Sequence, residues 1–304
     1  MYYHKDIDAL NSQFALKDNL AFKKSPADFV TAEINNKFAS ASICLYSAHV
    51  MSYLPHGQKP VLWMSAASRF EEGKPIRGGI PLCWPWFGAH PSDKNKPAHG
   101  LARISPDWKL DETELLPDGV VRIQLSLSSS DKTRELWEYA FELKLIVSVG
   151  AKLSVEMITA NKDSRPFTYR AALHSYFAVS NVSDISVSGL DGSSFIDTLD
   201  NTRHVQNGPI TINSETDRIY PDSSVECVIN DPAFKRHIHV SKSGSLSTVV
   251  WNPWIAKSQR MEDFGDDEYP SMLCVETAIT AHDEQKVRPG ASHSVKAVIK
   301  VEDK

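Results

Sequence analysis

Apolar and polar residues alternate with a period of two in four runs of this chain. Val121, Ile123, Leu125 and Leu127 alternate with Arg122, Gln124, Ser126 and Ser128, and Phe141, Leu143, Leu145, Val147 and Val149 with Glu142, Lys144, Ile146 and Ser148. Leu153, Val155 and Met157 continue the pattern across Gly150-Ala151-Lys152, and Val295, Ala297, Ile299 and Val301 alternate with Lys296 and Lys300. Successive strand side chains point to opposite faces, so these runs predict half-buried antiparallel strands, the second and third joined by a short turn. The stretches 39–50 and 61–64 also read as strands. Sustained helical periodicity is absent, with short helical turns expected only near 131–138 and 231–234. Before residue 25 the pattern is weak. Leu10, Phe14, Leu20 and Phe22 suggest a short amphipathic turn or an extended arm. Residues 128–133 and 201–209 read as loops inside one domain. The expectation is an all-β protein with few short helices: an N-terminal arm over 1–25, then one large antiparallel β-sandwich over 26–304 whose long loops carry the site.

One such loop interrupts the strand pattern. Residues 74–88 read KPIRGGIPLCWPWFG, and HGLAR follows at 99–103. Pro75, Pro81 and Pro85 lack an amide donor and Gly78, Gly79 and Gly88 permit unusual backbone angles, so this is no helix. Trp84 and Trp86 bracket Pro85, and Arg77, His99 and Arg103 flank the aromatic block. A rigid aromatic loop edged by cations suits a sugar ring, which stacks on an aromatic face, and a phosphate, which needs donors. The plainer alternative is a structural loop whose tryptophans belong to the core.

Composition narrows the field. The 304 residues carry a net charge of −5 with both signs scattered, which argues against a nucleic-acid surface. Hydrophobic residues make up 41% and charged residues 23%, as in ordinary globular proteins. Cys44, Cys83, Cys227 and Cys274 form no C-x-x-C pair, so neither a zinc site nor a redox motif is signalled. The N-terminus does not read as a signal peptide, and no apolar run approaches the roughly 20 residues of a membrane span. A cytoplasmic monomer without membrane or nucleic-acid partners is expected.

Three further segments place polar residues in apolar settings. His174 lies in ALHSYF, where on a strand it shares a face with Ala172 and Tyr176; a lone histidine there is most often a satisfied core residue. Asp217 lies in TDRIY, which also reads as a surface turn. Glu276 interrupts the apolar run MLCVETA, and a carboxylate so placed needs a partner or a task. Burial raises its pKa and makes it a candidate proton acceptor. Asp263, Asp266, Asp267 and Glu268 read as a solvated acidic loop without calcium-site spacing. Phosphate-loop, dinucleotide and nucleophile-elbow motifs are missing.

Taken together, RGGIPLCWPWFG (77–88), HGLAR (99–103), ALHSYF (172–177), TDRIY (216–220), VVWNPW (249–254) and CVETA (274–278) resemble, in order, the aldose 1-epimerase superfamily. More narrowly, they are similar to the D-hexose-6-phosphate mutarotases, also called glucose-6-phosphate 1-epimerases. The resemblance implies a galactose-mutarotase-like sandwich, a hexose 6-phosphate substrate and a site without cofactor or metal. It implies that His174 is the general acid and Glu276 the general base. Arg77 and Arg103 would contact substrate and phosphate, and Asp217 and His99 the sugar, with Trp86 as an aromatic wall. Some relatives carry glutamine where this chain has Ala98, which bears on the preferred hexose. A non-catalytic sugar-binding module needs no buried glutamate. A glycoside hydrolase needs two carboxylates, which Asp217 and Glu276 would supply while leaving His174 idle.

Overall fold

The computed structural model describes residues 6–25 and 27–304. Residues 1–5 of the expected arm, and Pro26 at the start of the expected domain, lie outside the described residues.

The alternating runs form one eight-stranded antiparallel sheet. Its order is Ser186–Ser188, Cys227–Asp231, Arg236–Ser243, Ser292–Asp303, Lys152–Asn161, Phe141–Val149, Val121–Ser128, Lys109–Leu115. Phe141, Leu143, Leu145, Val147 and Val149 are all buried while the residues between them are partly exposed, as a period of two requires. Each such fully buried aliphatic or aromatic side chain contributes roughly 1.5–3 kcal/mol relative to leaving it in water.

A second sheet runs Thr202–Val205, Ser194–Asp197, Thr216–Tyr220, Ser247–Asn252, Met272–Ile279, Ala171–Leu173, Leu82–Cys83, with Tyr176–Ala178 also paired to Met272–Ile279. Its side chains divide between two apolar clusters. Val250, Leu273, Val275, Ile279, Leu173 and Phe177 join the first sheet in the main core. Val249, Trp251, Met272, Cys274, Ala278, Ala172 and Tyr176 face the other way, under Trp63 and Phe264. Every residue of Met272–Ile279 is therefore buried, and the strand reads as continuously apolar because both of its faces are covered.

A four-stranded sheet, Leu20–Lys24, Val30–Asn35, Ala39–Cys44, His49–Pro55, covers one end. Asn36 Nδ2 and Tyr53 Oη donate to the carbonyls of Val149 and Gly150, at 2.7 and 2.9 Å, and so tie it to the turn of the large sheet. The stretch expected as an arm thus contains a sheet strand, Leu20–Lys24, and a helix, Ile7–Phe14, capped by Asp6, whose Leu10 is buried.

Several local expectations are corrected. Residues 231–234 are not helical: Asp231 ends a strand and a tight turn leads back into Arg236–Ser243. The helix near 131 spans Asp131–Leu136, where Ser130 and Thr133 form a reciprocal cap. Residues 201–209 contain the edge strand Thr202–Val205, and Trp254–Ser258 is a short helix that the apolar pattern did not announce. Residues 61–64 make only isolated bridges, Leu62 to Phe177 and Met64 to Gly78. Among the described residues, no helix is long and apolar enough to cross a membrane.

Candidate active site

Four adjacent strands place one row of side chains. Asp217 lies opposite Trp251, Trp251 opposite Cys274, and Cys274 opposite Tyr176. Directly opposed residues share a face, so this row and Glu276, two positions beyond Cys274, open on the same side of the sheet. His174 sits in the break between Ala171–Leu173 and Tyr176–Ala178, where its amide donates to the carbonyl of Pro81 at 3.1 Å. Its ring stacks on Tyr176 at 4.8 Å and 9°, and meets Trp251 and His99 edge-on.

The aromatic loop threads beside them. Gly79 donates to the carbonyl of Trp63 and accepts from the amide of Tyr176, with φ of 60°. A Cβ there would stand 2.2 Å from the carbonyl oxygen of Val50, so only glycine lets the segments close. Gly100 is equally constrained, since a Cβ would lie 2.0 Å from the carbonyl oxygen of Trp84. These two close approaches bring Arg77 and the 99–103 segment to the mouth of the sheet.

His174 Nδ1 lies 3.4 Å from Glu276 Oε1, so residues 102 positions apart in the chain are neighbours in space. They stand side by side, not across a gap. His174 is 7% exposed and Glu276 2%. His174 Nδ1, Glu276 Oε2 and Arg103 Nε are all buried without a hydrogen-bond partner. Buried polar atoms are normally satisfied, so three open ones on groups close enough to shift one another's pKa are what a polar ligand would complete.

The charges are set by surroundings. Burial, reinforced by Asp217 and opposed by Arg103, pushes the Glu276 carboxyl well above its ordinary value. Burial, with Arg103 and Arg77 adding to it, holds His174 well below the usual imidazole value. His99 is lowered by burial and then by Arg103. Both shifts favour the uncharged forms, a protonated Glu276 beside a neutral His174.

The cations are held differently. Arg77 donates to both oxygens of Asp263, at 3.0–3.2 Å, and to Tyr176 Oη at 2.8 Å. Arg103 has one anchor, a donation to the carbonyl of Ala98 at 3.0 Å. Arg103 is thus the more available of the two for an anion. Asp217, raised by burial, faces Lys257 at 3.7 Å; Lys257 also pairs with Glu215 at 3.2 Å and lies over the Trp251 ring.

Two aromatic expectations change. Trp84 is wholly buried against Phe141 and Trp137 in the main core. Trp86 is 4% exposed, meets His90 edge-on and donates to the carbonyl of Pro97, so its face is not offered beside His174. The rings that wall His174 are Tyr176 and Trp251. Asp263 is no solvated loop residue, and Glu268 likewise turns inward to Ser65, Ala66 and Gly265. Tyr176 and Cys274 were signalled weakly, each two positions from a proposed catalytic residue on an extended segment. Lys257 carried no signal, because a lone lysine in a short helix is unremarkable.

The profile of the aldose 1-epimerase family matches residues 30–300. A relative from Escherichia coli strain K12, provisionally named a glucose-6-phosphate 1-epimerase, is 35% identical over 267 residues, covering 87% of this chain and 88% of its own. A crystal structure of a Salmonella typhimurium protein, provisionally named a mutarotase, superposes with a TM-score of 0.89 at 33% identity over 96% of each chain. A galactose mutarotase related enzyme from Lactobacillus acidophilus shares the fold, with a TM-score of 0.72 at 14% identity over 90% of this chain and 97% of its own.

Proposed function

The chain belongs to the aldose 1-epimerase family, and from that membership we propose that it is a hexose-6-phosphate mutarotase, interconverting the α and β anomers of glucose 6-phosphate or a close relative. The observation that carries this reading is the buried His174–Glu276 pair, 3.4 Å apart, with Arg103 and Arg77 on the same cleft.

Anomer exchange requires a proton to leave the anomeric hydroxyl and another to reach the ring oxygen. In the proposed roles Glu276 takes the first and His174 gives the second. The C1–O5 bond opens, the aldehyde turns about C1–C2, and the ring recloses from the other face with both transfers reversed. Two oxygens bound to one carbon are close neighbours, so an acid and a base standing side by side can serve both. Each transfer partner contributes about 10²–10⁴-fold.

The pair needs a single proton between its members. Burial favours placing it on Glu276, and Arg103 and Arg77 further disfavour a charged His174. A phosphate beside those arginines would offset their field and make the protonated histidine easier to reach. Its binding energy would also orient the reacting carbon. Asp217 would accept from a sugar hydroxyl, and Tyr176 and Trp251 would line the ring.

The test is anomer exchange followed by NMR magnetisation transfer on a panel of free and phosphorylated aldoses. Exchange of one or more hexose 6-phosphates well above the spontaneous rate is expected. Tight binding without exchange would support a sugar-binding module instead.

A further inference from the structure

We propose that the same cleft is a chelating site for a soft first-row divalent cation, zinc above all, held by His174, Cys274 and Glu276. The three donor atoms, an imidazole nitrogen, a thiol sulfur and a carboxylate oxygen, all lie within 4.8 Å of one another and all three residues are buried. The backbone explains the arrangement. Cys274 and Glu276 are alternate residues on one face of Met272–Ile279, and His174 enters from the neighbouring segment that stacks on Tyr176.

Two of these residues carry the open valences already described. His174 Nδ1 and Glu276 Oε2 have no hydrogen-bond partner, and hydrogen bonds hold neither atom away from a metal. Zinc binds nitrogen, sulfur and oxygen at about 2.0–2.3 Å, which sets tetrahedral ligand atoms about 3.3–3.7 Å apart. Closing the widest separation to that value takes roughly 1 Å of side-chain movement. Three protein ligands leave the fourth tetrahedral position to water, and mixed nitrogen, sulfur and oxygen donors favour zinc or cobalt over magnesium or calcium.

On binding, the thiol and the carboxyl release their protons to solvent, bonds form from sulfur, oxygen and nitrogen to the metal, and no electron transfer occurs. The dication is matched by one thiolate and one carboxylate, so the core of the chelate is neutral. The metal is an inhibitor here, not a resident cofactor, because it occupies the atoms that would move protons. That inhibition rests on the proposed catalytic roles; the chelation rests on the geometry alone.

Cobalt(II) reports the site directly, since thiolate ligation gives a charge-transfer band in the near ultraviolet. Wild-type protein, reduced and freed of metal, is titrated with cobalt(II) and then with zinc(II). The expected result is a band that saturates at one cobalt per chain, is erased by zinc, and is absent in Cys274→Ser. His174→Asn and Glu276→Gln should each weaken cobalt binding by more than about tenfold. Near-ultraviolet circular dichroism checks the fold of each variant, and Cys274→Ala replaces Cys274→Ser if the serine protein does not fold. Absence of a saturable band in wild type, or a band that survives loss of the Cys274 thiol, overturns the proposal. A Cys274-dependent band in a protein that exchanges no sugar would break the functional reading and leave the chelate standing. Arrest of exchange in step with zinc occupancy would join the two.

Discussion

Replacing Glu276 by glutamine changes the pH dependence of stability in a direction that the structure dictates. The carboxyl is 2% exposed, has His174 at 3.4 Å, and its Oε2 has no hydrogen-bond partner among the described residues. Burial, then Asp217, raises its pKa well above the ordinary value of 4.5. A group with a raised folded pKa binds its proton in the folded state while the unfolded chain has released it. Between the ordinary value and the raised one the folded protein therefore holds more protons, and stability falls as pH rises. One proton of difference costs about 1.4 kcal/mol per pH unit. Glutamine keeps the shape without the titration, so the stability of Glu276→Gln relative to wild type should climb by up to that slope across the window. Comparing the two proteins cancels the shared titrating groups that do not interact with Glu276. His174 does interact with it, and its lowered pKa gives the opposite slope, stability rising as pH rises toward 6.5. Urea unfolding at pH 5, 6, 7 and 8 measures the difference, with unchanged m-values as the check that the denatured state is the same. At each of these pH values the variant should also lose about 10²–10⁴-fold in anomer exchange. Parallel stability curves for the two proteins would refute the buried, proton-holding Glu276.

Further outcomes follow from the same geometry. Arg103→Ala should weaken hexose 6-phosphate selectively over free hexose in exchange assays, and more than Arg77→Ala does, because Arg77 is already committed to Asp263 and Tyr176; equal losses for both sugars would remove the phosphate role. Trp84→Ala should cost about 3–5 kcal/mol in unfolding free energy, read by urea titration, as for a wholly buried aromatic; an exposed ring would cost far less. The pH profile of exchange should be bell-shaped, with its acid limb below 6.5, where His174 begins to hold a second proton, and its alkaline limb above 4.5, where Glu276 gives up the last one; an acid limb at the ordinary histidine value of 6.5 would refute the lowered His174.

What was legible depended on how many faces of an element are buried. Phe141–Val149 and Lys152–Asn161 have one buried face, so their alternation appears in the sequence and in the structure alike. Met272–Ile279 has two, and its uniform apolar run hid which residues share a side; only the anomaly of Glu276 marked it. Trp84 and Trp86 misled for a related reason, since a tryptophan in a proline-rich loop looks the same whether it turns into the core or toward a ligand. Asp263 was misread because its partner, Arg77, lies 186 residues away, and acidic residues in a cluster look solvated until a cation meets one of them. Thr202–Val205, an edge strand exposed throughout, carries no apolar pattern at all.

The arrangement also bears on what the phosphate of the proposed substrate would contribute. Arg103 and Arg77 place positive charge beside a histidine that must become cationic in the proposed mechanism, which on its own is a poor design for an acid. Asp263 answers one of them permanently, through two-oxygen contact with Arg77. Arg103 has only the Ala98 carbonyl and an unpaired buried Nε, so its charge is left for the ligand to answer. A phosphate there would do more than tether the substrate: it would offset one of the two charges that oppose protonated His174 at the moment the proton is needed. Binding energy and acid strength would then rise together, and loss of the phosphate would lower the rate of the bound complex as well as its affinity. A free hexose that bound weakly but, once saturating, turned over as fast as its 6-phosphate would separate the two effects and confine Arg103 to anchoring.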